Sequence, residues 1–348
     1  MSRFVFRLAL LGVALVASGT ARADIYFDKR EFDKAIADYD QAIKLDPMDR
    51  QAINSRGQSW AAKGDHEKAI TDFTAAIRIS PDYAFAYNNR GHVWWARNEY
   101  EKAIADYSIA IKLKPDNAGY FVNRGLTWHD KKEYDKAIAD FNEAIRLDPK
   151  HGFSYESRAR AWRQKKDLDK AIADFSEAIR LDPKFVWPYN SRGNCWRDKK
   201  NFEKAIADFN EAIRLDPKAA IPFNNRGLTW FLKKEFDKAI MDFDLSEKLD
   251  PKNAWVYKNR AKLLATCADA KYRDGKKAVE QAKKALELEN EPEGDFHETL
   301  AAAYAEAGNF EEAIRWQERA LQDPQFKDNA DARRRLELYR KKQPNRQE

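Results

Sequence analysis

The chain has 348 residues, 43% hydrophobic and 34% charged, with 13 Gly and 12 Pro, a balance that excludes disordered and low-complexity classes. Its net charge of +6 overstates its basicity, because Arg3, Arg7 and Arg22 lie in the first 23 residues, which hold no acid. The remainder carries 60 Lys plus Arg against 57 Asp plus Glu, an excess too small to argue for nucleic acid.

Residues 1–23 open with Arg3 and Arg7, continue through the apolar run Leu8 to Ala17 and end on Ala21-Arg22-Ala23. This is the form of a secretory signal peptide, with cleavage after Ala21 or Ala23. The apolar run is too short to span a bilayer, and no Cys follows it to carry a lipid. The pattern predicts an exported protein, periplasmic or secreted, with no integral membrane segment after cleavage. An apolar N-terminal helix capping a cytoplasmic array is the other reading.

Beyond the leader the chain repeats itself. Lys199 to Lys218 reads KKNFEKAIADFNEAIRLDPK, and close copies start at Lys131, Lys165 and Lys233, a period of 34 residues. A repeat of that length cannot bury its apolar face alone and must stack on its neighbours. Residues 24–49 read as a partial N-terminal repeat and 50–253 as six full repeats. Residues 254–293 form a repeat with a five-residue insertion around Asp269 to Gly275, and 294–327 a final one. Residues 328–348 read as a capping helix and tail, with Ala332, Leu336 and Tyr339 inward and Arg333 and Arg334 outward. The two cysteines, Cys195 and Cys267, fall two repeats apart. That is roughly 20 Å at about 10 Å per helix layer, too far for a disulfide, so two free, buried thiols are expected.

Within Ala220 to Asn253 the pattern is Phe223, Gly227 and Trp230, then Ala239, Phe243 and Pro251. Aromatic-x3-Gly-x2-aromatic, then Ala-x3-Phe, then Pro resembles the tetratricopeptide repeat, over nearly all of the mature chain. Arg226 stands where that family usually has Leu, and Trp230 where it has Tyr. The resemblance implies an all-α fold, a right-handed α-solenoid of stacked helix-turn-helix repeats. It also implies a non-enzymatic scaffold whose first helices line a concave face.

Stacking turns each repeat position into a column. Trp60, Trp94, Trp128, Trp162, Trp196 and Trp230 form one, assigned to packing. Gly57, Gly91, Gly125, Gly193 and Gly227 form another, expected to face the Ala69 column. A third holds Arg56, Arg90, Arg124, Arg158, Arg192 and Arg226, each followed 16 residues on by Asp72, Asp106, Asp140, Asp174, Asp208 and Asp242. Antiparallel folding predicts ion pairs within each repeat, the alternative being a solvated charge stripe. The inserted repeat keeps Arg260 but has Gln281, and the last repeat has Leu300 and Trp316.

Recognition is expected where the first helices vary. The candidates are Phe85, Asn88, Trp95, Phe153, Arg160, Arg163, Trp187, Asn190, Arg197, Asn224, Phe231 and Trp255, aromatic and Arg anchors among Asn side chains. For the leading aromatics, packing between repeats is an equal reading. Some family members grip a C-terminal carboxylate with Lys and Asn on first helices, but the matching positions here are Asn54, Asn88, Val122 and Glu156. The expected partner is a protein or extended peptide, not nucleic acid. A cell-envelope glycan stacking on the aromatic rows is the alternative. No catalytic or cofactor motif is present; His92 and His129 beside Asp130 are the nearest thing to a metal set.

Overall fold

The computed structural model describes residues 20–290, 292–324 and 326–346, and every described element is helical. They fall into two compact units, one ending at Leu181 and one beginning at Asp182. In the first unit a helix over residues 20–28 (α1) precedes α2 (Phe32–Leu45), α3 (Arg50–Ala62), α4 (His66–Ile79), α5 (Ala84–Ala96), α6 (Tyr100–Leu113), α7 (Ala118–Asp130), α8 (Tyr134–Leu147), α9 (Gly152–Gln164) and α10 (Leu168–Leu181). The second unit holds α11 (Val186–Asp198), α12 (Phe202–Leu215), α13 (Ala220–Leu232), α14 (Phe236–Leu249), α15 (Ala254–Thr266), a single 3-10 turn (Ala270–Tyr272), α16 (Gly275–Leu288), α17 (Gly294–Glu306), α18 (Phe310–Ala320) and α19 (Ala330–Arg340). In each unit, odd and even helices pair as hairpins, and successive hairpins stack into a solenoid.

Local chemistry sets these lengths. Each even-numbered helix from α2 to α14 stops where Asp-Pro, Ser-Pro or Lys-Pro removes a donor and blocks further turns. Most first helices end on a residue in the left-handed region, Gly64 (φ 84°) and Gly308 (φ 81°) but also Asn98, Lys132, Lys166, Lys200 and Lys234. The next N–H then reaches back five residues, as Glu133 does to the Trp128 carbonyl at 2.9 Å, which caps the helix.

The core runs between the two helices of each hairpin. Phe73, Tyr107, Phe141, Phe175, Phe209 and Phe243 are buried within it. The glycine column meets these rings: a Cβ on Gly193 would lie 2.7 Å from the Phe209 ring. The tryptophans are only partly buried, each with a second-helix lysine over its ring, such as Lys68 at 4.2 Å from Trp60 and Lys204 at 4.4 Å from Trp196.

The arginines clamp these hairpins. Arg56 donates to both oxygens of Asp72 at 2.9 and 2.7 Å, and Arg90, Arg124, Arg158, Arg192 and Arg226 bind Asp106, Asp140, Asp174, Asp208 and Asp242 in the same bidentate way. The remaining guanidinium nitrogen reaches back to the preceding second helix, from Arg90 to Thr74 at 3.0 Å, Arg124 to Ser108 at 2.9 Å and Arg226 to Asn210 at 2.6 Å. One side chain thus joins two repeats. The column also extends further toward the N-terminus than the sequence pattern suggested: Arg22 binds Asp38 at 2.5 Å, again 16 residues on. The expected leader, residues 1–23, lies mostly outside the described residues, but Ala21, Arg22 and Ala23 sit within α1, where Ala23 is 0% exposed.

The insertion lengthens the turn and leaves the helix alone, since α15 keeps the 13 residues of its counterparts. Cys195 and Cys267 are buried and neither is in a disulfide. Leu300 and Trp316 share an apolar cluster where other repeats hold an ion pair.

Candidate functional site

In α5, α9, α11, α13 and α15 the second position carries the most exposed large apolar side chain of its helix. Phe85 and Phe153 hold it in the first unit, and Trp187, Ile221 and Trp255 in the second, with Trp187 at 50% and Trp255 at 44% exposure. These rings do some packing as well. Phe85 meets Tyr120 of the next hairpin edge-on at 6.4 Å and carries Lys114 at 4.5 Å over its face. Trp255 meets Phe296 edge-on at 5.1 Å and carries Lys258 at 3.9 Å.

Three residues further on, the Asn side chains form a ladder between hairpins. Asn54 accepts from Asn89 at 3.0 Å and Asn88 from Asn123 at 2.8 Å; in the second unit Asn190 accepts from Asn225 at 2.9 Å and Asn224 from Asn259 at 3.0 Å. Asn190 and Asn224 are buried, so their expected role as ligand contacts is corrected to that of inter-repeat ties. The ladder breaks at Val122, which cannot accept, and the buried Ser157 hydroxyl that would face it has no partner.

Glu156 follows in that column as a buried carboxylate. Burial pushes its pKa up, against the pull of Arg160. The Arg160 Nε stands 3.9 Å from it, beyond hydrogen-bond reach, and Arg160 itself is exposed. Arg163 is partly buried nearby in the same helix. Trp95, partly buried, donates from its indole to Asp130 at 2.7 Å, and His92 lies against its ring at 5.5 Å. Burial and then Arg160 hold His129 below the ordinary imidazole range. Among the described residues no three His, Cys, Asp or Glu side chains converge as metal ligands.

In the second unit Arg197 is largely buried, 3.5 Å from Asp198. Phe231 is 0% exposed, which corrects its placement on a ligand face. Phe236 packs against it at 6.1 Å, as Tyr134 does against His129, and Tyr272 of the insertion packs on Phe236 in turn.

The sequence reading missed a cleft of about 270 Å³ among α13, α15, α17 and α19. Lys258 binds Asp295 there, and Arg335 of α19 binds Glu298 at 2.9 and 2.6 Å. Lys258 continues the Asn column, which was the one available signal. Burial pulls Lys258 below the usual lysine range, opposed by Asp295.

Family models described as tetratricopeptide repeat match residues 20–84, 88–152, 186–219 and 298–323, and one described as TPR repeat matches 159–195. The fold is similar to that in the APC/C hetero-tetramer Cut9-Hcn1, with TM-score 0.62 at 15% identity over 93% of this chain and 76% of that one. A tetratricopeptide repeat protein from Parabacteroides merdae aligns with TM-score 0.56 at 18% identity, over 71% of this chain and 97% of its own. The Pseudomonas aeruginosa pilF protein gives 0.54 at 19%, over 61% and 96%. No curated protein matches the sequence.

Proposed function

Because the chain belongs to the tetratricopeptide repeat family, we propose that it is a scaffold for protein–protein interaction, binding an extended peptide or a partner protein on the concave, first-helix face. Members of this family are generally non-enzymatic, and the chain is read the same way. The observation that carries the proposal is the exposed row Trp187, Ile221 and Trp255, set one repeat apart on the first helices of the second unit. Phe85 and Phe153 hold the same exposed position in the first unit, and large aromatic side chains left half exposed in register are the usual anchors of an interface. A capping lysine on Trp255 leaves its edge and other face for a ligand. In the first unit Arg160 offers an exposed guanidinium beside Phe153 on the same helix.

Selection of peptides from a random library against the full chain tests this reading. The Trp187→Ala/Trp255→Ala variant should fold as the parent does, since both side chains are exposed, and should lose the selected peptide. Undiminished binding would sink the proposal. The leader pattern supports a site of action in the periplasm or outside the cell. Intact mass and fractionation of the expressed protein check that placement.

A further inference from the structure

The cleft of the second unit carries a charge imbalance that its own residues do not resolve. Lys258 is matched with Asp295, and Arg335 with Glu298. Lys262 lines the same cleft on α15, one turn beyond Lys258, and among the described residues its ammonium makes no hydrogen bond or ion pair. Lys262 is exposed along the cleft, and the protein crowded about it holds its ammonium below the ordinary lysine range, with Arg335 and Arg197 pushing the same way and Glu298 and Asp295 opposing. A second group is also left over. Asp295 gives one oxygen to Lys258, while its other oxygen, Oδ1, is buried and accepts nothing.

We infer that this cleft receives an Asp or Glu side chain of the bound peptide, its carboxylate on Lys262 and a peptide N–H on the free oxygen of Asp295. The inference rests on the peptide-binding reading above and deepens it. A single unneutralised cation calls for a monoanion. The adjacent carboxylates Asp295 and Glu298 would repel the second charge of a phosphate, so a carboxylate fits better. The volume, about 270 Å³, is that of about nine waters, room for one acidic side chain and its peptide unit. Leu228 and Ala302 supply apolar wall for its methylenes. The exposed row of Ile221 and Trp255 lies on the same first helices, α13 and α15, as Leu228 and Lys262, so a peptide anchored there is within reach of the cleft.

The test takes the leading peptide from the library selection, synthesised with acetylated and amidated ends so that side chains provide its only carboxylates. It should contain Asp or Glu at one fixed position. Changing that acid to its amide, or Lys262→Met in the full chain, should each weaken binding roughly tenfold or more, and the two changes together little further, because one charge-assisted contact is lost in each case. Lys262→Met should leave the melting temperature unchanged; if it does not, Lys262→Gln replaces it in the same cycle. Peptides enriched without a fixed acid, or binding unaffected by Lys262→Met, overturn this inference while the peptide reading stands. Binding that requires a free C-terminus overturns the side-chain assignment. Failure to enrich any peptide overturns both readings.

Discussion

Two hairpins of the second unit solve the same problem differently. In the hairpin of α13 and α14, Arg226 grips Asp242 across its own turn and Asn210 in the helix before, so one guanidinium holds three helices. In the hairpin of α15 and α16 the Asp has become Gln281, and Arg260 turns wholly backward, to Asp244 and to Glu247 at 2.5 Å. What holds α15 to α16 instead is Lys284 donating to the Tyr257 hydroxyl at 2.7 Å, and the Asp274 N–H on the Leu264 carbonyl at 3.0 Å. Arg273 then ties the insertion forward to Glu306 at 2.9 Å. The regular hairpin spends its charges on itself. The inserted one directs Lys258 toward α17, and the same helix carries Lys262, left unpaired in the cleft. Irregularity in the scaffold and chemistry at the surface coincide.

The largest expected effect breaks the regular clamp. Asp208→Ala leaves Arg192 without its bidentate partner and should cost about 3 kcal/mol, the low end for a stranded buried charge because a fifth of the Arg192 side chain is exposed. The double change Arg192→Leu with Asp208→Trp, which copies Leu300 and Trp316, should cost less. In contrast, Gln281→Ala removes a side-chain oxygen that already lacks a partner, and should lie within about 0.5 kcal/mol of the parent. Denaturant titration of the four proteins decides it; equal losses for Asp208→Ala and Gln281→Ala would mean the clamp adds nothing.

Close approach also moves between the two hairpins. In regular repeats a glycine meets a phenylalanine ring, and a ring can tilt; Ala159 occupies that register in α9 fully buried. In the inserted repeat Ala261 takes that register, and the tight contact passes to Gly275, where a Cβ would fall 2.4 Å from the Ala307 backbone nitrogen. Backbone cannot swing aside. Gly275→Ala should therefore cost about 3 kcal/mol, the upper end for overpacking, and Gly193→Ala about 1 kcal/mol, the lower end. Calorimetric melting of both variants checks the order.

The scaffold was readable because its spacing recurs. A step of 16 between Arg and Asp is visible in six repeats, and antiparallel folding turns it into contact. The backward partners were hidden, since Thr74, Ser108, Asn142 and Asn210 share only the ability to accept a hydrogen bond. Arg22 was masked by the leader pattern that overlaps it. Phe231 sat at a first-helix register where Trp95 and Arg163 stay partly exposed, and Phe236 with Tyr272 of the insertion covers it here. The cleft was out of reach for a further reason: Arg335 meets Glu298 because α19 turns back over the last hairpin, a return with no period to announce it. Repetition carries the fold into the sequence; departures from it carry the site, and each departure occurs once.

Glu156 is a departure of the first unit, a carboxylate where Asn54 and Asn88 accept from the next hairpin. Its pKa is raised in the fold, so the ionised form is the one that folding disfavours. The protonated form is fully tolerated below the unfolded carboxylate range, and the cost appears as pH rises through the raised value and persists above it. Glu156→Gln should accordingly raise the melting temperature at pH 8 and leave it unchanged at pH 4. A gain that is equal at both pH values would instead indicate better packing or hydrogen bonding by the amide.

The smallest effect concerns the turns. Lys200 closes α11 at φ 60°, a conformation that costs an L-residue with a Cβ about 1–2 kcal/mol, while the last hairpin uses Gly308 at the corresponding place. Glycine removes that strain but frees the unfolded chain, which offsets part of the gain. Lys200→Gly should therefore stabilise by about 0.5–1 kcal/mol, and Gly308→Lys should destabilise by a similar amount. The inserted repeat provides the control, because α15 ends on Cys267 at φ −56° and needs no left-handed residue. A glycine placed at the neighbouring Ala268 should only loosen that turn. If Lys200→Gly also loosens its turn, the lysine side chain and not the backbone is what the regular hairpins have kept there.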